Sequence, residues 1–516
     1  MIDKRRIMIG ALSSVVQIVV AALGLFVLYR YLLDSIGPGD LGVWSIVVAT
    51  SSLVQMANFG LAGSVTKQVG EFDAVGDQDG IVRSVETAAV SMGVFCLLII
   101  MATYPVAKWY LGFAVQGFRL ELATQILPAA MTAFWLMMVG SIYQGALFGC
   151  HMVVSRNLIL IAETVVYLLM SVWVTPRAGL VGLVWARLLQ NMITLAISIV
   201  VLRRRVPGLR LIASRWDSGL FRSAFSYAAS FQFISLLVFV CDPLTKGFLS
   251  RYGSIGMVGY YEMANKLVLQ FRSLLVGSSQ VLVPVFVKLN RTDSAKLASV
   301  FEASYQVLFF LSIVVFGFAM AAAPLISVLW IGRLEPAFVL PVMLLSLGWC
   351  INSIGLPAYH SGMGTGELRP NVYSHISMAS LNLLLGVALG HYFDGVGVIC
   401  GWGIALAAGG LCTTWLYLPV AKRTVPNLIP ENGVSLVMGA TIAIFLSIGS
   451  YQIAGPLIET TGVLGAGWKG HANWISGSGA VLIFLLIMIV ATARHPVKKQ
   501  LLDAVFALSI KRPSRE

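Results

Sequence analysis

Long apolar stretches alternate with short polar interruptions along almost the whole chain. A helix needs about 20 mostly apolar residues to cross the roughly 30 Å hydrocarbon core of a bilayer, and its backbone must satisfy its own hydrogen bonds there. The pattern therefore predicts an all-α polytopic membrane protein with about fourteen transmembrane helices. They lie near residues 7–33, 42–64, 83–104, 124–148, 156–175, 179–202, 222–242, 256–287, 302–330, 337–362, 371–391, 395–420, 433–453 and 475–493.

The first interruption is the short phrase Gly37-Pro38-Gly39-Asp40 within LDSIGPGDLGVWSIV. Gly and Pro end a helix, and an Asp side chain caps the next one, so the phrase predicts a tight external turn between two membrane helices. A similar phrase, LSRYGSIGMVGYYEMA, spans residues 249–264. It predicts the corresponding turn of a second copy of the same unit.

The spacing of several residue pairs supports this duplication. Each pair is 216 positions apart: Gly37 and Gly253, Arg30 and Lys246, Glu86 and Glu302, and Gly179 and Gly395. We expect two six-helix lobes, 1–205 and 215–423, then an extra helix pair at 431–493 and a basic amphipathic tail at 494–516. An even number of helices gives both lobes the same orientation, an arrangement typical of transporters.

Composition agrees with a membrane location, because 58% of the residues are hydrophobic and only 11% are charged. The net charge of +13 does not indicate nucleic-acid binding. With the N-terminus inside, roughly 24 Lys and Arg residues fall on the cytoplasmic side and about seven outside, which places both termini in the cytoplasm. The dense basic cluster Arg203–Arg222 is interpreted as a contact with anionic headgroups of membrane lipids.

Cofactor and metal motifs are missing from the sequence. The run Gly362-Met363-Gly364-Thr365-Gly366 lacks the Gly-Lys-Ser/Thr ending and the preceding strand of a phosphate loop, and is interpreted as a helix stop. The six cysteines show no Cys-x-x-Cys spacing and are expected to be buried thiols. We therefore expect no cofactor and no hydrolase or ATPase chemistry.

Charged residues inside predicted helices are expensive and are candidates for function. Arg30 and Lys246, equivalent in the repeat, either converge on a central cleft to bind a diphosphate or have structural roles. The structural roles are contact with outer headgroups or, for Lys246, a pair with Asp242 one turn away. Asp242 is therefore also a candidate for ion coupling.

Lys266 and Arg272 lie roughly 14 and 22 Å below the outer end of the eighth predicted helix. Glu262 is four residues before Lys266 and neutralises it or takes part in ion coupling, whereas Arg272 has no acid three or four residues away. Both cations are candidate substrate ligands. For Arg272 we favour a position facing a cavity.

Arg187 and Glu163 lie on consecutive predicted helices joined by the short turn Pro176-Arg177-Ala178. The first interpretation is a buried ion pair; the alternatives are a substrate ligand at Arg187 and a proton-coupling carboxylate at Glu163. His360 and His375 flank a predicted inside loop, where a histidine is more often simply solvated.

Two stretches resemble a known family. LYRYLLDSIGPGDLGVWSIV with NFGLAGSVTKQVGEF, and CDPLTKGFLSRYGSIGMVGYYEMANKLV with LVPVF, resemble the starts of the two lobes of bacterial polysaccharide flippases. These belong to the multidrug/oligosaccharidyl-lipid/polysaccharide exporter superfamily. Many relatives carry an acid where this chain has Asn58, which weakens any role assigned there.

The resemblance implies a transporter rather than an enzyme. It would move an undecaprenyl-diphosphate-linked oligosaccharide, a repeat unit of O-antigen or exopolysaccharide, across the bacterial cytoplasmic (inner) membrane. A polysaccharide polymerase and export machinery are further implied partners. Two alternatives remain: a lipid-linked glycosyltransferase or polymerase using Asp34 or Asp40 as base, and a cation-coupled drug exporter.

Overall fold

Helices make up all the regular secondary structure in the part of the chain that the structure, a computed structural model, describes: residues 4–58, 60–421, 423–461, 472–493 and 495–497. The predicted all-α class is therefore confirmed. The α-helices are α1 Lys4–Ser51, α2 Leu61–Val75, α3 Gln78–Ala114, α4 Phe118–Gly149, α5 Val153–Arg205, α6 Ser218–Phe248, α7 Ile255–Ser279, α8 Leu282–Thr292, α9 Ser294–Ile331, α10 Pro336–Ile354, α11 Leu356–Thr365, α12 Arg369–Ala421, α13 Val425–Leu428, α14 Gly433–Thr461 and α15 Ala472–Thr492.

Ten candidate membrane spans, judged by length and composition, are found among the described residues. The helices α1, α5 and α12 each contain a break with non-helical backbone, at Gly37, at Gly179 and at Phe393 with Asp394. When the halves of these helices are counted separately and α6 is added, every one of the fourteen predicted segments falls on an observed helix.

The break in α5 is a reversal of the chain. Gly179 has φ 52° and ψ −135°, a backbone conformation that essentially only glycine adopts without strain. The guanidinium of Arg187 lies 4.9 Å from the centre of the Tyr167 ring. In a continuous helix these residues would be about 30 Å apart, so the two halves of α5 form a hairpin.

The first turn falls on Gly37, which has φ 74°. The matching phrase forms a π-helical turn, Leu249–Gly253, that ends at the residue 216 positions after Gly37. Asp40 takes a different role from the predicted cap: its Oδ1 accepts a hydrogen bond from Nε of Arg119 at 2.9 Å. The carboxylate thereby holds the turn against the start of α4.

Contacts divide the chain into two compact units, Met1–Gly259 and Tyr260–Glu516. The first unit includes α6 and the start of α7, so this division differs from the proposed lobes, whose boundary stays a prediction based on the repeat. The predicted tail 494–516 lies outside the described residues, apart from residues 495–497. All six cysteines are free, and four of them are buried.

Repeat-equivalent carboxylates hold the chain in each unit. In the first unit the fully buried Glu86 accepts hydrogen bonds from the backbone N–H groups of Arg210, Ser214 and Arg215 at 2.9–3.2 Å. In the second unit Glu302 forms an ion pair with Arg423 at 3.1 Å. Each acid of the pair thus anchors the segment that follows the third and last helix hairpin of its copy.

The basic cluster Arg203–Arg222 is partly neutralised by the protein itself. Arg205 lies 3.0 Å from Asp73, and Arg215 lies 2.9 Å from Asp79. These exposed pairs contribute little free energy individually. They lower the number of charges left for lipid headgroups below the number that the sequence suggests.

Two glycines allow a close contact in the first unit. A β-carbon on Gly42 would lie 1.9 Å from the carbonyl oxygen of Ile255, and one on Gly259 would lie 2.4 Å from that of Pro38. The backbones of the second half of α1 and the start of α7 therefore touch directly. Small residues at such crossings are the usual means by which membrane helices approach closely.

We predict that Gly42→Val destabilises the protein by roughly 1–3 kcal/mol, because the added methyl groups must displace backbone. The measurement is the thermal transition of the detergent-purified protein. Gly112→Ala is the matched control, since a β-carbon at Gly112 meets no atom within 4 Å. Equal transitions for the two variants would contradict the close contact.

Candidate substrate-binding site

The repeat-equivalent cations Arg30 and Lys246 form ion pairs inside their own helices. Nε of Arg30 lies 2.8 Å from Oδ2 of Asp34, and Nζ of Lys246 lies 2.7 Å from Oδ2 of Asp242. The Lys246 side chain is only 2% exposed, whereas Arg30 is 37% exposed. The pair with Asp242 is the structural alternative considered from the sequence, and it neutralises the buried ammonium.

Lys266 is neutralised in the same way. Its Nζ lies 3.4 Å from Oε1 of Glu262, and the carboxylate side chain is 2% exposed. An unpaired charge costs more free energy when it is buried. The ion pair therefore stabilises the Glu262 carboxylate more than the Lys266 ammonium, which is 36% exposed. Both residues belong to the second unit.

Arg272 differs from these cations because an aromatic ring, not an acid, lies against it. Its guanidinium lies 4.1 Å from the centre of the Trp349 ring, a distance at which a cation and a π-system attract each other. Nε of Arg272 and Nε1 of Trp349 are both buried, and neither donates a hydrogen bond to any described residue. Two strong donors in one place favour an acceptor-rich ligand.

Two histidines and a tyrosine complete the surroundings of Arg272. The Tyr359 ring meets His360 and His375 edge-on, with ring centres 5.9 and 6.0 Å apart. Nε2 of His360 lies 3.0 Å from Oγ of Ser279. The charge of Arg272 lies close enough to act on the side chains of Tyr359, His360 and His375. We call Arg272, Trp349, Tyr359, His360 and His375 the Arg272 cluster.

The expectation of solvated loop histidines is wrong for His360. Its side chain is 4% exposed because α11 extends to Thr365 and carries it inward. His375 lies on α12 and is half-buried. The last glycine of the rejected phosphate loop is the helix stop, since Gly366 follows the end of α11 with φ 83° in the left-handed region.

The predicted ion pair between Arg187 and Glu163 is also wrong. Arg187 is eight residues after Gly179 and Glu163 is sixteen before it, so the hairpin brings Arg187 opposite Tyr167 instead. No ion pair joins Arg187 and Glu163 among the described residues. Glu163 instead lines a cavity of about 500 Å³ in the first unit, together with Arg156 and several uncharged polar residues.

Other cavities have a different character. One of about 630 Å³ in the second unit is lined almost wholly by apolar side chains. A smaller one of about 290 Å³ in the first unit contains Arg119 and Arg251. Within the described residues, no group of three or more His, Cys, Asp or Glu side chains is arranged to hold a metal ion.

A family model described as "Polysaccharide biosynthesis protein" matches residues 9–290, more than half of the chain. The chain belongs to this polysaccharide biosynthesis protein family. The resemblance found in the sequence is therefore confirmed. A comparison with curated proteins found no match.

Three solved structures with a similar fold are distant from this chain in sequence. An inward-facing multidrug resistance MATE family transporter of the MOP superfamily matches with a TM-score of 0.69 and 14% identity, over 78% of this chain and 96% of that one. The lipid II flippase MurJ, in an inward closed conformation, matches with 0.65 and 11%, over 94% and 100%. A MOP superfamily transporter from Pyrococcus furiosus, described as having a binding pocket of reverse polarity, matches with 0.52 and 14%, over 81% and 95%.

These matches establish the fold of MOP superfamily transporters for this polysaccharide biosynthesis protein. The family and the transporter fold agree with the expectation of a transporter rather than an enzyme. Trp349, Tyr359 and the buried position of His360 were not found from the sequence. Aromatic residues are common in membrane helices, and only the observed packing selects these two.

We predict that Asp242→Ala destabilises this polysaccharide biosynthesis protein by about 2 kcal/mol, because it leaves the buried Lys246 ammonium without its ion-pair acid. This is below the roughly 3–5 kcal/mol typical of fully buried pairs, since Asp242 is 38% exposed. Adding Lys246→Met to Asp242→Ala should recover most of the loss. Thermal transitions of the two single variants and the double variant give the coupling, and purely additive effects would count against the pair.

Proposed function

We propose that this protein is a flippase for an undecaprenyl-diphosphate-linked oligosaccharide, a repeat unit of O-antigen or exopolysaccharide. It would move this substrate from the inner to the outer leaflet of the bacterial cytoplasmic membrane by alternating access. Both termini would lie in the cytoplasm, and a polymerase and export machinery would receive the product. The family and the fold support a membrane transporter; the substrate is our proposal.

The observation that carries the proposal is the Arg272 cluster. An arginine stays charged at any physiological pH, and a charge in hydrocarbon surroundings has to face a cavity or a partner. Arg272 has an aromatic ring against it and a buried Nε that donates to no described residue. A diphosphate supplies the oxygen acceptors and the negative charge that this guanidinium lacks.

The other predicted cations enter the proposal differently. Lys246 and Lys266 already have acid partners, so each would bind phosphate only by leaving Asp242 or Glu262. The carboxylate left behind would then lack its counter-charge, so Asp242 and Glu262 remain the proposed groups for ion coupling. Arg30, paired with Asp34, and Arg187, stacked on Tyr167, rank below Arg272 as substrate ligands.

Arg272→Ala is expected to reduce polymer export at least about tenfold, the usual effect of losing a charge-assisted hydrogen bond. The lipid-linked repeat unit should then accumulate in the inner leaflet, out of reach of periodate added outside the cells. The assay is complementation of a deletion strain at matched membrane levels of the variants. Arg272→Lys should recover export only in part, because an ammonium cannot present a planar fork of donors.

Arg291→Ala is the matched control, since Arg291 is an exposed arginine near the end of α8. It should export polymer at the wild-type level. Full export by Arg272→Ala at normal membrane levels would remove Arg272 from the substrate path. A deletion strain that accumulates no lipid-linked repeat unit would overturn the proposed function itself.

A further inference from the structure

The cavity that contains Glu163 lies within the first unit, and seven polar or charged side chains line it among apolar side chains and glycines. It lies between α2, α4 and both halves of α5, and its volume of about 500 Å³ is in the range of small-molecule sites. Its two charged residues are Arg156 and Glu163. Its uncharged polar lining consists of Thr66, Ser141, Gln144, Asn191 and Thr194. We call this cavity the Glu163 chamber.

Two amide side chains of the Glu163 chamber have oxygens that accept no hydrogen bond from a described residue. Gln144 is 9% exposed, and its Nε2 donates to Oγ of Ser198 at 2.7 Å, while its buried Oε1 accepts from no described residue. Asn191 donates through Nδ2 to the carbonyl oxygen of Ala133 at 2.8 Å and accepts no hydrogen bond from a described residue. A buried amide oxygen without a donor is costly, so the arrangement favours a ligand that brings donors.

The two charges of the chamber do not neutralise each other directly. Among the described residues, Glu163 and Arg156 form no ion pair within 4 Å, and the Arg156 guanidinium lies 5.8 Å from the centre of the Phe148 ring. A carboxylate and a guanidinium held apart in one cavity leave room for a ligand that bonds to both. Ionisable groups at membrane depth usually mark such binding sites.

The chemistry of the lining selects among ligands. The chamber carries one positive and one negative charge, so its net charge of zero favours an uncharged ligand. A diphosphate would meet the repulsion of Glu163, and a lone organic cation would meet that of Arg156. A ligand with several hydroxyl groups fits best, because each hydroxyl donates one hydrogen bond and also accepts.

We propose that the Glu163 chamber binds an uncharged sugar of the transported glycan, whose hydroxyl groups donate to Glu163, Gln144 and Asn191 and accept from Arg156. This inference rests on the proposed function and adds the part of the substrate that the first unit recognises. The Phe148 ring beside Arg156 offers an apolar face for the C–H side of a sugar ring. The diphosphate would be bound by a different group, the Arg272 cluster of the second unit.

The test uses the full-length protein in nanodiscs and two separate probes. Saturation-transfer NMR titrations measure binding of a panel of uncharged methyl glycosides. A parallel titration measures binding of farnesyl diphosphate, which carries the prenyl diphosphate but no sugar. Glu163→Ala should weaken the best-bound glycoside at least about tenfold and leave farnesyl diphosphate binding unchanged. Arg272→Ala should weaken the binding of farnesyl diphosphate and leave glycoside binding unchanged.

Two further variants keep the test decisive. Glu163→Gln retains the shape of the side chain and one acceptor oxygen, so this variant should fold and should weaken glycoside binding by a smaller factor. It takes the place of Glu163→Ala if the alanine variant shows no thermal transition. Glu121→Gln removes an exposed acid in the first turn of α4 and should bind both probes as the wild type does.

The two arms separate the two proposals. If no glycoside binds to the wild type, or if the Glu163 variants bind glycosides as tightly as the wild type, the sugar chamber is wrong. Binding of Na⁺ that depends on Glu163, without any glycoside binding, would likewise overturn it in favour of a cation site. If the wild-type protein does not bind farnesyl diphosphate, the diphosphate site of the proposed function is contradicted instead.

Discussion

The structure depends on one constraint: hydrocarbon cannot solvate a charge, so every ionised group at membrane depth needs a partner or a polar cavity. The chain meets this constraint mainly with acids one helical turn from a base, as with Lys246 and Asp242 or Lys266 and Glu262. Such pairs are complete without a substrate. Arg272 in one unit and Glu163 with Arg156 in the other are among the groups that this pattern does not neutralise, and they carry the functional proposals.

These two places differ in chemistry in a way that matches a composite substrate. Around Arg272, donors and aromatic rings predominate, which suits an anion with many acceptor oxygens. The Glu163 chamber combines a carboxylate, a guanidinium and amide side chains at a net charge of zero, which suits hydroxyl groups because they both donate and accept. A lipid-linked glycan carries both kinds of group. The proposal thus assigns its diphosphate and its sugars to different units of the protein.

Much of the fold could be predicted from the sequence, because membrane helices are encoded by local hydrophobicity and the turns by Gly and Pro. Gly37 and Gly179 do break their helices, and each of the fourteen predicted segments overlaps an observed helix. The site was harder to predict. Whether Arg187 meets Glu163 or Tyr167 depends on the register of one hairpin, and His360 is buried only because α11 continues past it. Side-chain partners across helices are tertiary facts that one sequence without relatives does not encode locally.

The central claim, that an arginine without an acid partner carries a diphosphate-linked glycan through the membrane, is tested most directly in proteoliposomes. The measurement is the initial rate at which a fluorescent undecaprenyl-diphosphate-linked oligosaccharide crosses from one leaflet to the other. The account predicts that the wild-type protein accelerates crossing well above protein-free liposomes and that Arg272→Ala removes most of this acceleration. A wild-type rate equal to that of protein-free liposomes, or an Arg272→Ala rate equal to the wild type, would contradict it.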